Sequence, residues 1–248
     1  MPLESLGLIK TSLIEFPGEV AAVLFTPGCN LRCPFCHNPE LVGNRVPESF
    51  ITRSDIVAFL SRRQSVLGGV VITGGEPCAH DDLPDLMQEI VSLGLKVKLD
   101  TNGTFPDALV DLPLAYVAMD IKTSPDKYGL VIGDDSSTQY ELFANAPTET
   151  IWDRVARSID WIISSGIDHE FRTTVVPGIV TEHDISTITN HIKGAKRYVL
   201  AGFRPINTLD PQYASQEPFP VEVLESMKAT VENSGMSCSI RLNRKAED

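Results

Sequence analysis

The sequence predicts an α/β fold, a partial (β/α)6 TIM-like barrel of parallel βα units, and three observations predict it. Short β-branched runs of strand length recur along the chain: Glu19–Thr26, Gly69–Gly75, Lys96–Gly103, Tyr116–Lys122, Glu170–Gly178 and Arg197–Phe203. Segments with helical spacing separate them, and strand–helix alternation repeated about six times builds parallel units. About six such units use up the 248 residues, so an open or partial barrel fits better than a full eightfold one.

Each helix has a start or stop signal. Ser54 is placed to cap a segment burying Ile56, Phe59 and Leu60, and Asp82 one burying Leu83, Leu86, Met87 and Ile90 that stops at Gly94. A longer helix buries Ile151, Val155, Ile159 and Ile162 and stops at Gly166. Two more carry Ile185, Ile188 and Ile192, then Val221, Leu224, Met227 and Val231, and Ser237–Leu242 reads as a last strand. We find no internal repeat and no interdomain linker, so residues 1–248 are expected to form a single domain. Thr123–Thr150, rich in Asp, Ser, Thr and Gly, reads as a long irregular segment after a strand, where functional loops hang over the active face.

Composition narrows the function. A formal net charge of −12 and no clustered Lys/Arg run argue against a nucleic-acid partner. No apolar stretch of about 20 residues is present to span a membrane. No basic start followed by a long apolar run marks a secretory signal. Five cysteines, an odd and clustered set, fit a reducing, cytoplasmic compartment and a ligand role better than a disulfide framework.

Three of the five fall in "FTPGCNLRCPFCHNPE", at Cys29, Cys33 and Cys36. They follow the first predicted strand, on the face where βα-loops build sites. Clustered thiolates bind soft metals. Spacing leaves open zinc, with Cys78 or His37 as a fourth ligand, and an iron–sulfur cluster held by three thiolates with one iron open. Gly28 permits a sharp turn into the loop, Pro34 stiffens it, and Phe35 is either a neighbour of whatever the open iron binds or a packing residue. Cys78 and Cys238 read as small buried hydrophobes. His80, His169, His183 and His191 read as surface or capping residues.

The motif "GCNLRCPFCHNPE" resembles the signature loop of the radical S-adenosylmethionine (SAM) superfamily, and "CHNPE" resembles the activating enzymes of glycyl-radical enzymes. "TGGEP" (Thr73–Pro77), "LDTNG" (Leu99–Gly103), "MDIK" (Met119–Lys122), "FRTTVVPG" (Phe171–Gly178) and "FRPINTLDP" (Phe203–Pro211) continue the resemblance in order along most of the chain. The family it most resembles is the anaerobic ribonucleoside-triphosphate reductase activating proteins of the pyruvate formate-lyase activase type.

The resemblance implies a radical SAM fold and an oxidoreductase that cleaves SAM reductively. It implies that Cys29, Cys33 and Cys36 hold a [4Fe-4S] cluster, with SAM on the fourth iron. Gly74 and Gly75 would let backbone approach the methionine end of SAM, Glu76 would meet its ammonium, and Phe35 to His37 would touch the adenine. Thr101, Asn102, Asp120, Lys122, Arg172, Thr174 and Arg204 are further candidate cofactor contacts. Lys122 has an acidic neighbour or the SAM carboxylate as its partner, and Arg204 departs from the histidine of pyruvate formate-lyase activase. Asp100, Thr101, the carbonyl of Ala118 and Asp120 are the candidate ligands of a monovalent cation, since two close carboxylates bind a cation or repel each other; the bland reading of Asp100 is an Asx-turn or a cap. The implied partners are a glycyl-radical enzyme, with anaerobic ribonucleotide reductase foremost, docking its glycine loop near Thr123–Thr150, and reduced flavodoxin or ferredoxin as electron donor. The rival readings are a radical SAM enzyme with a peptide or small-molecule substrate, and a structural zinc or iron–sulfur module.

Overall fold

The structure, a computed structural model, describes residues 2–43, 46–133 and 149–242. They fall into two compact units that interleave along the chain: Met1–Asn30, Glu40–Thr101 and Phe105–Ala118, then Leu31–Pro39, Asn102–Thr104 and Met119–Asp248.

In the first unit, strands β1 (Ser5–Ser12), β2 (Ala21–Thr26), β3 (Ile51–Thr52), β4 (Gly69–Gly74) and β5 (Lys96–Thr101) lie in the order β3-β1-β2-β4-β5. β2, β4 and β5 run parallel, with Val23 opposite Val71 and Ile72 opposite Leu99. Nearly every residue of β2 and β5 is buried, as expected of parallel strands covered on both faces. β1 was not expected. It runs antiparallel to β2 and to the short β3. Its sequence SLGLIKTS buries Leu6 and Gly7 and leaves Lys10 and Thr11 exposed, so it has neither the apolar run nor the alternation that marks a strand.

Helix α1 (Arg53–Arg63) buries Ile56 and Leu60 and is capped by Thr52, not Ser54. The Thr52 side chain accepts a hydrogen bond from the Asp55 N–H at 3.1 Å. Helix α2 (Leu83–Ser92) follows Asp82 and buries the four expected residues, but Asp82 gives it no side-chain cap. Its carboxylate accepts from the Leu3 N–H at 2.9 and 3.1 Å and pairs with Arg53 at 3.3 Å. The short helix α3 (Pro106–Leu109) precedes strand β6 (Tyr116–Asp120).

In the second unit, β7 (Asp168–Val175), β8 (Tyr198–Gly202) and β9 (Cys238–Arg241) are parallel, with Thr173 opposite Leu200 and Leu200 opposite Ile240. The expected last strand is therefore present. Helices α4 (Gly129–Ile132), α5 (Ile151–Ser165), α6 (Glu182–His191), α7 (Pro211–Ala214) and α8 (Val221–Asn233) accompany them. Capping boxes Thr150/Asp153 and Thr181/Asp184 start α5 and α6, and Gly166, at φ 75°, ends α5 in the left-handed conformation. Among the described residues no helix is long and apolar enough to cross a membrane.

The segment expected to be irregular is partly built. Pro125–Lys127 forms a 3₁₀ turn and α4 follows, while residues 134–148 of that segment lie outside the described residues. What orders its start is Asp184, which is 1% exposed. It accepts from Ser124 Oγ at 2.6 Å, Lys127 Nζ at 2.6 Å and the Thr181 N–H at 2.7 Å. Burial pushes this carboxyl up, but the bonds from Lys127, Ser124 and Thr181 outweigh it and hold the group down at about 2. The folded value lies below the ordinary carboxylate value, so its stabilisation, about 2–3 kcal/mol, is present above pH ~4 and is lost as pH falls towards 2. Asp184→Ala is expected to lower unfolding free energy by roughly 2–4 kcal/mol at pH 7. Urea titrations at pH 7 and pH 3 check this: the gap between wild type and variant should narrow at pH 3.

Candidate active site

The first unit brings the glycine–acid motif onto the start of the cysteine loop. β2 ends at Thr26, and Gly28 turns the chain at φ 78°. The Gly75 N–H donates to the Thr26 carbonyl at 2.9 Å, and the Glu76 N–H to the Gly28 carbonyl at 2.8 Å. A Cβ on Gly75 would sit 1.8 Å from the Gly28 oxygen, and one on Gly74, at φ 122°, 2.3 Å from the Thr26 nitrogen. Both glycines are therefore required by backbone contact. Glu76 is fully buried. Its Oε1 accepts from Thr101 Oγ1 at 2.7 Å and from the Cys78 N–H at 3.0 Å.

Cys78 is buried, as expected, and burial followed by the Glu76 charge pushes its thiol well above the ordinary value. His80 is buried, not superficial: its Nε2–H donates to the Pro27 carbonyl at 2.8 Å, tying down the residue before Gly28. Asp100, Thr101 and Ala118 are all buried. The carboxylate of Asp100 carries an ion pair with the buried ammonium of Lys98. Lys98 was not singled out from the sequence. Residues two apart on a strand share a face, so the pairing with Asp100 was available as a signal.

Cys29 belongs to the first unit, and Cys33 and Cys36 to the second. There the Cys36 N–H donates to the Cys33 carbonyl at 3.0 Å, closing a tight turn. The chain after β8 grips that turn. The Asp210 N–H donates to the Pro34 carbonyl at 2.9 Å. His37 Nδ1 lies 3.3 Å from the Ile206 carbonyl, which makes Nδ1 the protonated nitrogen. The His37 ring stacks on Phe203 with centroids 6.0 Å apart, and Phe203 meets Tyr213 edge-on at 6.4 Å. Burial, then Arg204 and Lys122 against the opposing Ile206 carbonyl, lowers the His37 pKa and keeps the ring neutral. Phe35 is buried.

Asp120, Lys122 and Arg172 form one charged group. Asp120 Oδ1 accepts from Arg172 Nε at 2.7 Å and Oδ2 from Lys122 Nζ at 3.0 Å. Burial pushes the Asp120 carboxyl up, but Arg172 and Lys122 together hold it well below the usual range. Lys122 thus pairs with an acidic neighbour. The Lys122 N–H donates to the hydroxyl of Tyr128 at 3.2 Å; Tyr128 is buried and lies in the segment read as irregular, so nothing singled it out beforehand. Cys33 is also buried, and burial pushes its thiol up to about 12 against the pull of Lys122.

Other candidates are less engaged. Asn102 spends its Oδ1 on the Thr104 N–H at 3.0 Å and the Thr104 hydroxyl at 2.6 Å. Thr174 and Arg204 are half-buried. His169 is buried between the Ile167 carbonyl and the Lys196 N–H, a correction to its surface placement. His183 is exposed, and His191 packs edge-on against Trp152 at 4.8 Å. Cys238 is buried as expected, its thiol pushed up to about 11 by burial and Glu232.

The donor set suits a cluster. Among the described residues, no three His, Cys, Asp or Glu side chains are arranged around a point where one metal ion would sit. A cubane asks for a different arrangement, with each thiolate on its own iron. Cys29, Cys33 and Cys36 are not joined in disulfides, and their thiols would give up their protons on binding iron. The buried Nε2 of His37 has no hydrogen-bond partner among the described residues, the mark of a polar lining arranged for something further.

The Radical SAM superfamily pattern matches residues 23–191, well over half the chain. A Methanocaldococcus jannaschii protein, MJ1227, whose name as a glycyl-radical enzyme activating enzyme is itself provisional, is 30% identical over 226 residues, 87% of this chain and 86% of its own. The pyruvate formate-lyase-activating enzyme of Clostridium pasteurianum is 27% identical over 217 residues, 84% and 81% of the two chains. The 7-carboxy-7-deazaguanine synthase of Aquifex aeolicus is 40% identical over 80 residues, 31% of this chain and 33% of that enzyme. Among solved structures, a radical SAM methyltransferase from Sphaerobacter thermophilus matches with a TM-score of 0.66 at 15% identity, over 99% of this chain and 79% of that one. SAM-bound SuiB from Streptococcus suis matches with a TM-score of 0.59 at 16% identity, over 88% of this chain and about half, 51%, of its own. Those structures carry the partial βα-barrel expected from the sequence. This chain therefore belongs to the radical SAM superfamily, and is an oxidoreductase that works with a [4Fe-4S] cluster and SAM.

Proposed function

We propose that this enzyme is a glycyl-radical enzyme activase, which takes the α-hydrogen from one glycine of a partner protein and leaves a glycyl radical there. The observation that carries this reading is the similarity to MJ1227, which spans 87% of this chain and 86% of the relative. The match to the pyruvate formate-lyase-activating enzyme, of nearly the same extent, supports it. The partner we favour is an anaerobic ribonucleotide reductase, on the resemblance of the cysteine loop, with reduced flavodoxin or ferredoxin supplying the electron.

When bound, the cluster and SAM supply a 5′-deoxyadenosyl radical by one-electron reductive cleavage, releasing methionine. In this reading Cys29, Cys33 and Cys36 hold the cluster. Gly74 and Gly75 let the end of β4 close onto the chain that enters the cysteine loop, and the buried carboxylate of Glu76, fixed by Thr101 and the Cys78 N–H, receives the SAM ammonium. Lys122 and Arg172 orient Asp120. Phe35 and the stacked His37–Phe203 pair exclude water from the adenine side. Arg204, Thr174 and Asn102 stay at the margin of this set.

A second reading is a radical SAM enzyme with a small-molecule substrate. It is favoured by the higher identity, 40%, to 7-carboxy-7-deazaguanine synthase, though over only 80 residues. A local match of that kind fits shared SAM-handling machinery, because function lies in the site and not the fold.

Anaerobically reconstituted protein is expected to hold about four iron and four sulfide per chain, the content of a cubane. Cys29→Ala, Cys33→Ala and Cys36→Ala should each lose most of it, whereas Cys238→Ala should keep it; stoichiometric zinc without sulfide would restore the structural-module reading. Incubation with SAM, reductant and the candidate reductase should produce a glycine-centred EPR doublet on the partner, alongside methionine and 5′-deoxyadenosine. Release of both products without that doublet, for every glycyl-radical partner offered, would sink the activase reading and leave the small-molecule one.

A further inference from the structure

We infer that Lys98 is a built-in counter-ion for Asp100, so that SAM handling by this enzyme does not depend on a bound monovalent metal ion. The sequence resemblance placed Asp100, Thr101, Ala118 and Asp120 around such an ion, on the argument that two carboxylates need a cation. In each unit the chain has already answered that need. In the first, the side chain of Lys98 is 2% exposed and its ammonium pairs with Asp100, itself 10% exposed at the side chain. The ammonium also lies 5.9 Å from the centre of the Tyr116 ring, a second favourable contact for a buried cation. In the second unit, Asp120 is held by Arg172 at 2.7 Å and Lys122 at 3.0 Å. Thr101 turns its hydroxyl to Glu76 at 2.7 Å, donating its proton there. The residues present therefore do not fit a metal-ion site: both carboxylates carry protein cations.

A lysine in the interior of a parallel strand is expensive, because an ammonium loses its hydration on burial. Valine or methionine would fill the same position in β5 without that cost. The ion pair repays it by fixing the carboxylate of Asp100 directly before Thr101, whose hydroxyl holds Glu76. Lys98 is thus a positioning residue. It acts through Asp100 and Thr101 on the carboxylate proposed to receive SAM. An alkali-metal ion in that place would exchange with solvent, whereas a tethered ammonium does not.

The inference rests on the superfamily's use of SAM and not on the glycyl-radical partner, so its test needs no partner. SAM affinity of the cluster-loaded enzyme would be measured by equilibrium dialysis in KCl, NaCl and tetramethylammonium chloride at equal ionic strength, with thermal unfolding midpoints in the same salts. Wild type is expected to vary by no more than about twofold across the three. Lys98→Met leaves Asp100 buried without its ammonium. Its SAM affinity should fall about tenfold in tetramethylammonium and recover in K⁺ or Na⁺, with the midpoint rising in parallel. Lys98→Arg should behave as wild type. A wild-type affinity that rises about tenfold with K⁺ or Na⁺ would overturn the inference, as would a folded Lys98→Met whose affinity and midpoint ignore the salt. Should Lys98→Met not fold, the wild-type and Lys98→Arg salt series decide the matter.

Discussion

The site depends first on one backbone contact, the close approach of the end of β4 to the chain that leaves β2. The space between Gly75 and the Gly28 carbonyl admits no side chain, and the obstacle is main chain, which cannot rotate away. In return, two hydrogen bonds join the segments, Gly75 to Thr26 and Glu76 to Gly28. His80 adds a third at Pro27. The order of the motif follows from this. Two residues without side chains permit the approach, and the acid that follows is delivered at a fixed place beside the entry to the cysteine loop. Substituting Gly75 would move Glu76 and the start of that loop together, because they are bonded to one another.

The second requirement is electrostatic. A chain with a net charge of −12 nevertheless buries carboxylates at Glu76, Asp100 and Asp184. Burying a carboxylate is tolerated when donors surround it. Asp184 has Lys127, Ser124 and Thr181, and Asp100 has Lys98. Asp120, half-buried, has Arg172 and Lys122. The Oε1 of Glu76 is met by a hydroxyl and a peptide N–H, which fix the direction of the carboxylate.

The sequence made the parallel strands, the long helices and the motif residues legible because each rests on a local signal. Apolar runs of strand length mark β4, β5 and β7, and helical spacing with a stopping glycine marks α5. What it concealed was set by distant parts of the chain. β1 is a strand because β2 offers it an edge, although its own pattern is weak. Asp82 stands in the capping position of α2, yet it is drawn off by Leu3 and Arg53, and no reading of residues 82–92 shows that. His80 and His169 looked superficial because a histidine in a polar stretch usually is; both are buried, His80 bonded to the distant Pro27 carbonyl and His169 accepting from the distant Lys196 N–H. The cation argument counted the acids near the strand ends and did not weigh a lysine two residues before one of them, which pairs with Asp100.

The same electrostatics act on the buried thiols. Burial raises Cys33, Cys78 and Cys238 alike. Their charged neighbours differ. Cys78 faces Glu76, and Cys238 faces Glu232, and both acids oppose ionisation further. Around Cys33 the pull of Lys122 is opposed by burial, Cys36 and Asp120, and the thiol stays up at about 12. Only a thiolate binds iron, so a thiol held neutral by an acid is a poor competitor for a cluster. A cluster with one iron open to a cofactor must not be closed by a stray thiolate, and Cys78 follows the glycine–acid motif directly. Glu76 beside Cys78 opposes ionisation of that thiol without removing the cysteine. In the proposed reading, the acid that receives the SAM ammonium and the acid that keeps the neighbouring thiol protonated are then the same residue.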